Sequence, residues 1–288
     1  MESDDPPASS AAEAAAVRHL VELGYEDPHD VARRKLIAQR ELDADLTRAQ
    51  ECLGAGRITE ALDALEALTR SAPEWAAPRR LLALACYQAG KLANALAHLD
   101  WLELHAVEHA QLALLRATIE LSRRRFDVAL DQAAYARRLD ESLPGPEIVI
   151  GEVHLRRGDL DAAEVAFQRA AELAPGDAGP WSGLAAIAFR RGDYDAAIDR
   201  ALHALELNLE LPLAHYRLGA ALAALQQYPE ARVALETFVR LSPDRAAPYR
   251  WLAAICEEME DGVTAAEYRE RGRRVIQQRR SQRKPKAT

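Results

Sequence analysis

Apolar and small residues recur along this chain with a long period. The stretches GDLDAAEVAFQRAAELAPGD (Gly158–Asp177) and GDYDAAIDRALHALELNLEL (Gly192–Leu211) begin 34 residues apart. Stepping by 34 from Leu42 places units at Leu42, Ala76, Ala110, Pro144, Ala178, Pro212 and Ala246, with no insertion or deletion through Arg279. The twentieth place of every unit is alanine: Ala61, Ala95, Ala129, Ala163, Ala197, Ala231 and Ala265. The eighth place is always small, as Ala49, Ala83, Ala117, Gly151, Ala185, Gly219 and Ala253. This pattern predicts two antiparallel helices per unit, approaching so closely at these two places that no large side chain fits. Larger residues surround them: Leu65, Leu99, Phe167 and Leu235 at one place, and Ile58, Leu92, Phe126, Leu160, Tyr194 and Tyr228 at another. Gly56, Gly90, Gly158 and Gly192 mark the turns, where a left-handed backbone is needed. Pro73, Pro175 and Pro243 close units, because proline cannot continue a helix.

The first 41 residues do not share this register. Ser10 to Glu13 spells a capping box that could open a helix ending at Gly24. Asp27-Pro28 reads as the cap and first position of a second helix, running through Leu36, Ile37 and Leu42 into the first repeat. Apolar residues at 49%, charged residues at 28% and abundant alanine agree with a folded all-α protein. The acidic start, MESDDPPASS, has neither the basic nor the apolar region of a secretory signal. No apolar run approaches the roughly 18 residues of a membrane span. Three cysteines are too few for a disulfide framework, so a reducing cytoplasm is the expected location. A net charge of −8 argues against a general nucleic-acid surface. The basic end, with Arg279, Arg280, Arg283, Lys284 and Lys286, is expected to be a solvated, disordered tail over 280–288.

The pattern resembles the tetratricopeptide repeat family, whose signature runs W-x2-L-G-x2-Y and then through spaced alanines. Trp181, Leu184, Ala185, Tyr194, Ala197 and Ala204 carry it in the best unit, and Leu218 and Gly219 in the stretch PLAHYRLG. The resemblance covers residues 42–279. Arg48 and Arg116 stand where the family prefers leucine, Arg124 occupies a turn place, and Gly262 replaces a packing aromatic. The resemblance implies an all-α, α-α superhelix, a right-handed solenoid of about seven helix-turn-helix repeats. It also implies a non-catalytic scaffold for a protein or peptide partner. The words HLVELGYEDP (His19–Pro28) are similar to the closing segment of some phosphodiesterase or sulfatase-like enzymes with repeat tails. The alternative function is therefore an accessory module of an enzyme or secretion system, without its own catalytic domain.

Apparent chemical motifs dissolve in their context. His105-Ala-Val-Glu108-His109 has the order of an inverted zinc-protease motif, yet it crosses a unit junction where a polar turn is expected. Cys52, Cys86 and Cys256 share the eleventh, core-facing place. Gly54-Ala-Gly56 lacks the remainder of a phosphate loop. The pairs Asp159/Asp161 and Asp193/Asp195 read as helix starts, where carboxylates cap free amides. No nucleophile–base pair or cofactor motif stands out, so no enzyme activity, metal or cofactor is expected.

The resemblance also implies that the first helix of each unit lines a concave groove through its fifth, ninth and twelfth places. The apolar anchors are then Leu84, Tyr87, Leu114, Leu121, Ile148, Leu155, Phe189 and Tyr216, unless they pack only against neighbouring helices. Without asparagine at the ninth places there is no clamp for a chaperone-tail carboxylate, so the expected ligand is an amphipathic helix or an extended apolar segment. The stretch Ala11–Leu23, with Val17, Leu20 and Val21, could instead occupy the groove in cis.

Overall fold

The computed structural model describes residues 28–283, and among them it contains fourteen α-helices and no strand. They are α1 (Pro28–Gly54), α2 (Ile58–Ser71), α3 (Ala76–Gln88), α4 (Leu92–Leu104), α5 (Ala110–Ser122), α6 (Phe126–Leu139), α7 (Gly145–Arg157), α8 (Leu160–Leu173), α9 (Ala178–Arg191), α10 (Tyr194–Leu207), α11 (Pro212–Ala224), α12 (Tyr228–Leu241), α13 (Ala247–Glu258) and α14 (Gly262–Arg283). Two compact units divide the chain, Met1–Glu108 and His109–Thr288. The first contains the hairpins α1–α2 and α3–α4. The second contains the five hairpins from α5–α6 to α13–α14. In each, consecutive helices pack together and the first helices of adjacent hairpins touch, the arrangement of an all-α repeat solenoid.

The close-approach places behave as the sequence demands. All seven alanines at place 20 are fully buried. At place 8 the alanines are buried too, and a Cβ added to Gly219 would lie 2.6 Å from the Leu235 side chain. The turn residue at place 15 is left-handed in every unit: Gly56 at φ 73°, Gly90 at 72°, Gly158 at 87° and Gly192 at 82°, but also Arg124 at 62°, Gln226 at 61° and Glu260 at 60°. One closing hydrogen bond accompanies each turn, from the amide of place 16 to the carbonyl of place 11, as Arg57 to Cys52 at 2.8 Å and Arg125 to Glu120 at 2.9 Å.

Helix α1 carries the chain unbroken into the first repeat, with Leu36 and Ile37 exposed on it. At the other end α14 continues through residues 280–283, so the segment expected to be disordered from 280 is helical that far. Arg and Gln favour helix there, Glu270 pairs with both Arg273 and Arg274, and buried Val275 anchors the helix. The Ser10–Gly24 helix, the Ala11–Leu23 groove occupant and residues 284–288 lie outside the described residues.

Candidate interaction face

In the first unit, α3 carries Leu84, which is 38% exposed, and Tyr87, which is half-buried. In the second unit, α5, α7, α9, α11 and α13 contact one another in sequence and form one face. Six of the eight expected anchors lie on it, at two depths. Leu121 is 7% exposed and packs with Ala117, Ala129, Val149 and Val153. Leu155 is 5% exposed and packs with Ala163, Phe167, Leu184 and Ile187. Both therefore lie in the packing between helices. Leu114, Ile148, Phe189 and Tyr216 retain accessible surface.

The aromatic anchors converge with a residue that the fifth, ninth and twelfth places do not include. The Phe189 ring lies 5.5 Å from Tyr194 and 6.5 Å, edge-on, from Trp251. Trp251 Nε1 donates to Tyr216 Oη at 3.2 Å. Tyr216, Ala247, Arg250, Trp251 and Ala254 line a cavity of about 310 Å³. Trp251 stands at a sixth place, outside the fifth, ninth and twelfth places expected to line the groove.

Arginines of α7, α9 and α11 gather around Glu152 on the same face. Arg156 donates to the Leu121 carbonyl at 3.4 Å, and Arg190 donates to the equivalent Leu155 carbonyl one repeat along. Each thus satisfies the end of the preceding first helix, where the helix dipole is negative. Arg217, with its side chain 12% exposed, lies 3.6 Å from Glu152 and donates to the buried Ser182 hydroxyl. Burial pushes the Arg217 guanidinium below its usual range and Glu152 draws it back up, while neighbouring Arg190 lowers it further. Glu152 also lies 3.6 Å from Arg156 Nε. Arg190 and Arg250 have no carboxylate partner among the described residues.

The remaining motifs have structural partners. His105 stacks on Trp101 at 3.7 Å with Nδ1 2.8 Å from the Trp101 carbonyl. The His109 Nδ1 accepts from the Gln111 amide and caps α5. Asp159 and Asp193 cap α8 and α10 through the amides of Ala162 and Ala196. Asp161 binds Arg191 at 2.6 Å. Cys52, Cys86 and Cys256 are buried free thiols, and burial pushes those of Cys86 and Cys256 upward. Among the described residues no cluster of three or more His, Cys, Asp and Glu side chains is placed to hold a metal ion. None of their helices is long and apolar enough to cross a membrane.

A tetratricopeptide repeat profile matches residues 46–100, 114–178 and 182–246, more than half of the chain, and a second profile of the same description matches 154–209. The fold is similar to that of a tetratricopeptide repeat protein from Parabacteroides merdae, with a TM-score of 0.63 at 16% identity over 82% of this chain and 93% of that one. It is also similar to a chain of the APC/C hetero-tetramer Cut9–Hcn1, with a TM-score of 0.72 at 19% identity over 79% of this chain. The chain spans 45% of the length of that chain. No curated protein sequence matches it.

Proposed function

The chain belongs to the tetratricopeptide repeat family and is a protein-interaction scaffold, and from that premise we propose that it works without catalysis, holding an apolar or amphipathic peptide or helix on the face of its first helices. The observation that carries this reading is the aromatic run of Phe189, Trp251 and Tyr216 beside a cavity of about 310 Å³. Rigid, half-buried rings lose little side-chain entropy on binding and contribute large contact area. Leu114 and Ile148 extend the second unit's apolar surface, with Leu121 and Leu155 supporting it from beneath. Leu84 and Tyr87 offer similar surface on the first unit. Each well-filled anchor contributes about 1.5–3 kcal/mol before association costs. Two or three anchors suffice for micromolar binding, about −8 kcal/mol.

The test is affinity capture with the full chain, its Phe189→Ala/Tyr216→Ala variant, and a Val165→Ala control at a 67% exposed position on α8. Partners retained by the parent and the control but lost by the double variant support the reading. Equal capture by all three proteins overturns it.

A further inference from the structure

We infer that the second unit's first-helix face binds an acidic amphipathic segment of a partner protein, with carboxylates over Arg156, Arg190 and Arg217 and an apolar side chain in the cavity beside Tyr216 and Trp251. This rests on the preceding reading and adds the charge of the ligand. One carboxylate, Glu152, serves two of these guanidinium groups, at 3.6 Å from both Arg156 and Arg217, and Arg190 has none. Arg190 spends its hydrogen bond on a backbone carbonyl, so its charge stays unbalanced. Arg250, on the cavity wall, adds a further cation without an ion pair among the described residues. A local positive excess in a chain of net charge −8 must be held by placement, and here the low-dielectric setting of Arg217 strengthens its pull on an anion.

The cavity on the other side of α13 makes the contrast. It is about 380 Å³, lined by Tyr249, Tyr268 and Ile276 with three arginines. Two of those arginines have carboxylate partners, Arg269 in Glu257 and Arg273 in Glu270, the latter shared with Arg274. On the α7–α9–α11 face a single carboxylate, Glu152, stands against three guanidinium groups. A nucleic acid fits the same charges less well, because the chain's overall negative charge repels a polyanion and the basic patch is short.

The experiment selects a random-peptide phage library on the full chain and measures the enriched peptides by fluorescence anisotropy. Selected sequences should carry Asp or Glu next to Phe, Trp or Leu. Arg156→Gln/Arg190→Gln should weaken them about tenfold or more. Glu152→Gln should tighten them about threefold by removing the competing carboxylate, a gain that misfolding does not produce. Peptides that lose binding in Phe189→Ala/Tyr216→Ala but show neither acidic enrichment nor any response to the arginine and Glu152 variants would leave the apolar site standing and overturn the acidic partner. Peptides indifferent to Phe189→Ala/Tyr216→Ala would overturn both. A single-stranded RNA oligonucleotide that displaces the peptides and depends on Arg156 and Arg190 would assign the charges to nucleic acid and overturn the protein partner.

Discussion

At place 15 the left-handed turn is imposed on whatever residue stands there, and Arg124, Gln226 and Glu260 adopt it with φ near 60°. A side chain costs about 1–2 kcal/mol in that region. A Cβ on the corresponding glycines, Gly56, Gly90, Gly158 and Gly192, would meet nothing within 4 Å, so conformation alone sets the preference. Arg124→Gly, Gln226→Gly and Glu260→Gly should each stabilise the protein by roughly 0.5–1 kcal/mol, after the entropy of a freer unfolded chain is subtracted. Urea titrations of the three variants, with Gly158→Ala as the opposite change, measure this. A drop in midpoint for the glycine variants would contradict it. Phe167 makes a different demand. Its ring would lie 2.9 Å from a Cβ on Gly151 and 2.6 Å from one on Gly183. Gly183→Ala should therefore destabilise by about 1–3 kcal/mol, with part of the loss restored by Phe167→Leu, and thermal unfolding of the single and double variants tests the coupling. The smallness of place 8 was legible because every repeat shares it. The smallness of Gly183 was not, because it answers one large ring in the neighbouring hairpin and is not repeated.

Between elements, polar groups connect helices whose small residues set the spacing. Glu147 on α7 is 3% exposed and lies 3.0 Å from Arg137 on α6 and 3.4 Å from Arg169 on α8. Glu147→Gln should cost about 1–3 kcal/mol, because both arginines are half-exposed and can rehydrate, while the buried site loses a charge-assisted bond. The urea midpoint of the variant checks this. In the last two hairpins, Tyr268 on α14 donates to Glu236 on α12 at 2.7 Å, and Arg232 donates to the same oxygen at 2.8 Å. Burial, reinforced by the bond to Glu236, pushes the Tyr268 phenol from its ordinary 10 up to about 12. The unfolded chain therefore loses this proton first. The stability it contributes is complete below pH 10 and falls as pH rises through about 12. Burial alone would raise Glu236, but the hydrogen bonds from Arg232 and Tyr268 outweigh it and hold the carboxyl low, so its contribution is lost as pH falls through that lowered value. Tyr268→Phe should flatten the alkaline limb of a stability–pH curve followed by circular dichroism. An unchanged slope between pH 10 and 12 would remove the phenol as its cause. Helix positions were legible from the 34-residue register. These cross-helix pairs were not, since each occurs once and a charged residue on a helix looks the same in sequence whether it faces water or a partner.

For the molecule as a whole, summed properties hid the charge at the candidate site. A net charge of −8 pointed away from anions, while Arg156, Arg190 and Arg217 stand at thirteenth and sixth places, outside the set read as groove-facing. Their proximity becomes visible only when first helices from adjacent repeats are set side by side. The same stacking governs stability, since a hairpin in such an array buries its apolar surface against its neighbours. The first unit has two hairpins among its described residues and the second has five, and about three are needed for independent stability. Residues 109–283 expressed alone should therefore be helical and unfold in one cooperative urea transition. Residues 28–108 alone should have a much lower midpoint and weaker helical circular dichroism. The long, polar α1, with Leu36 and Ile37 exposed, adds little buried surface to that fragment. A fragment 28–108 as stable as 109–283 would show that stability here does not accumulate hairpin by hairpin.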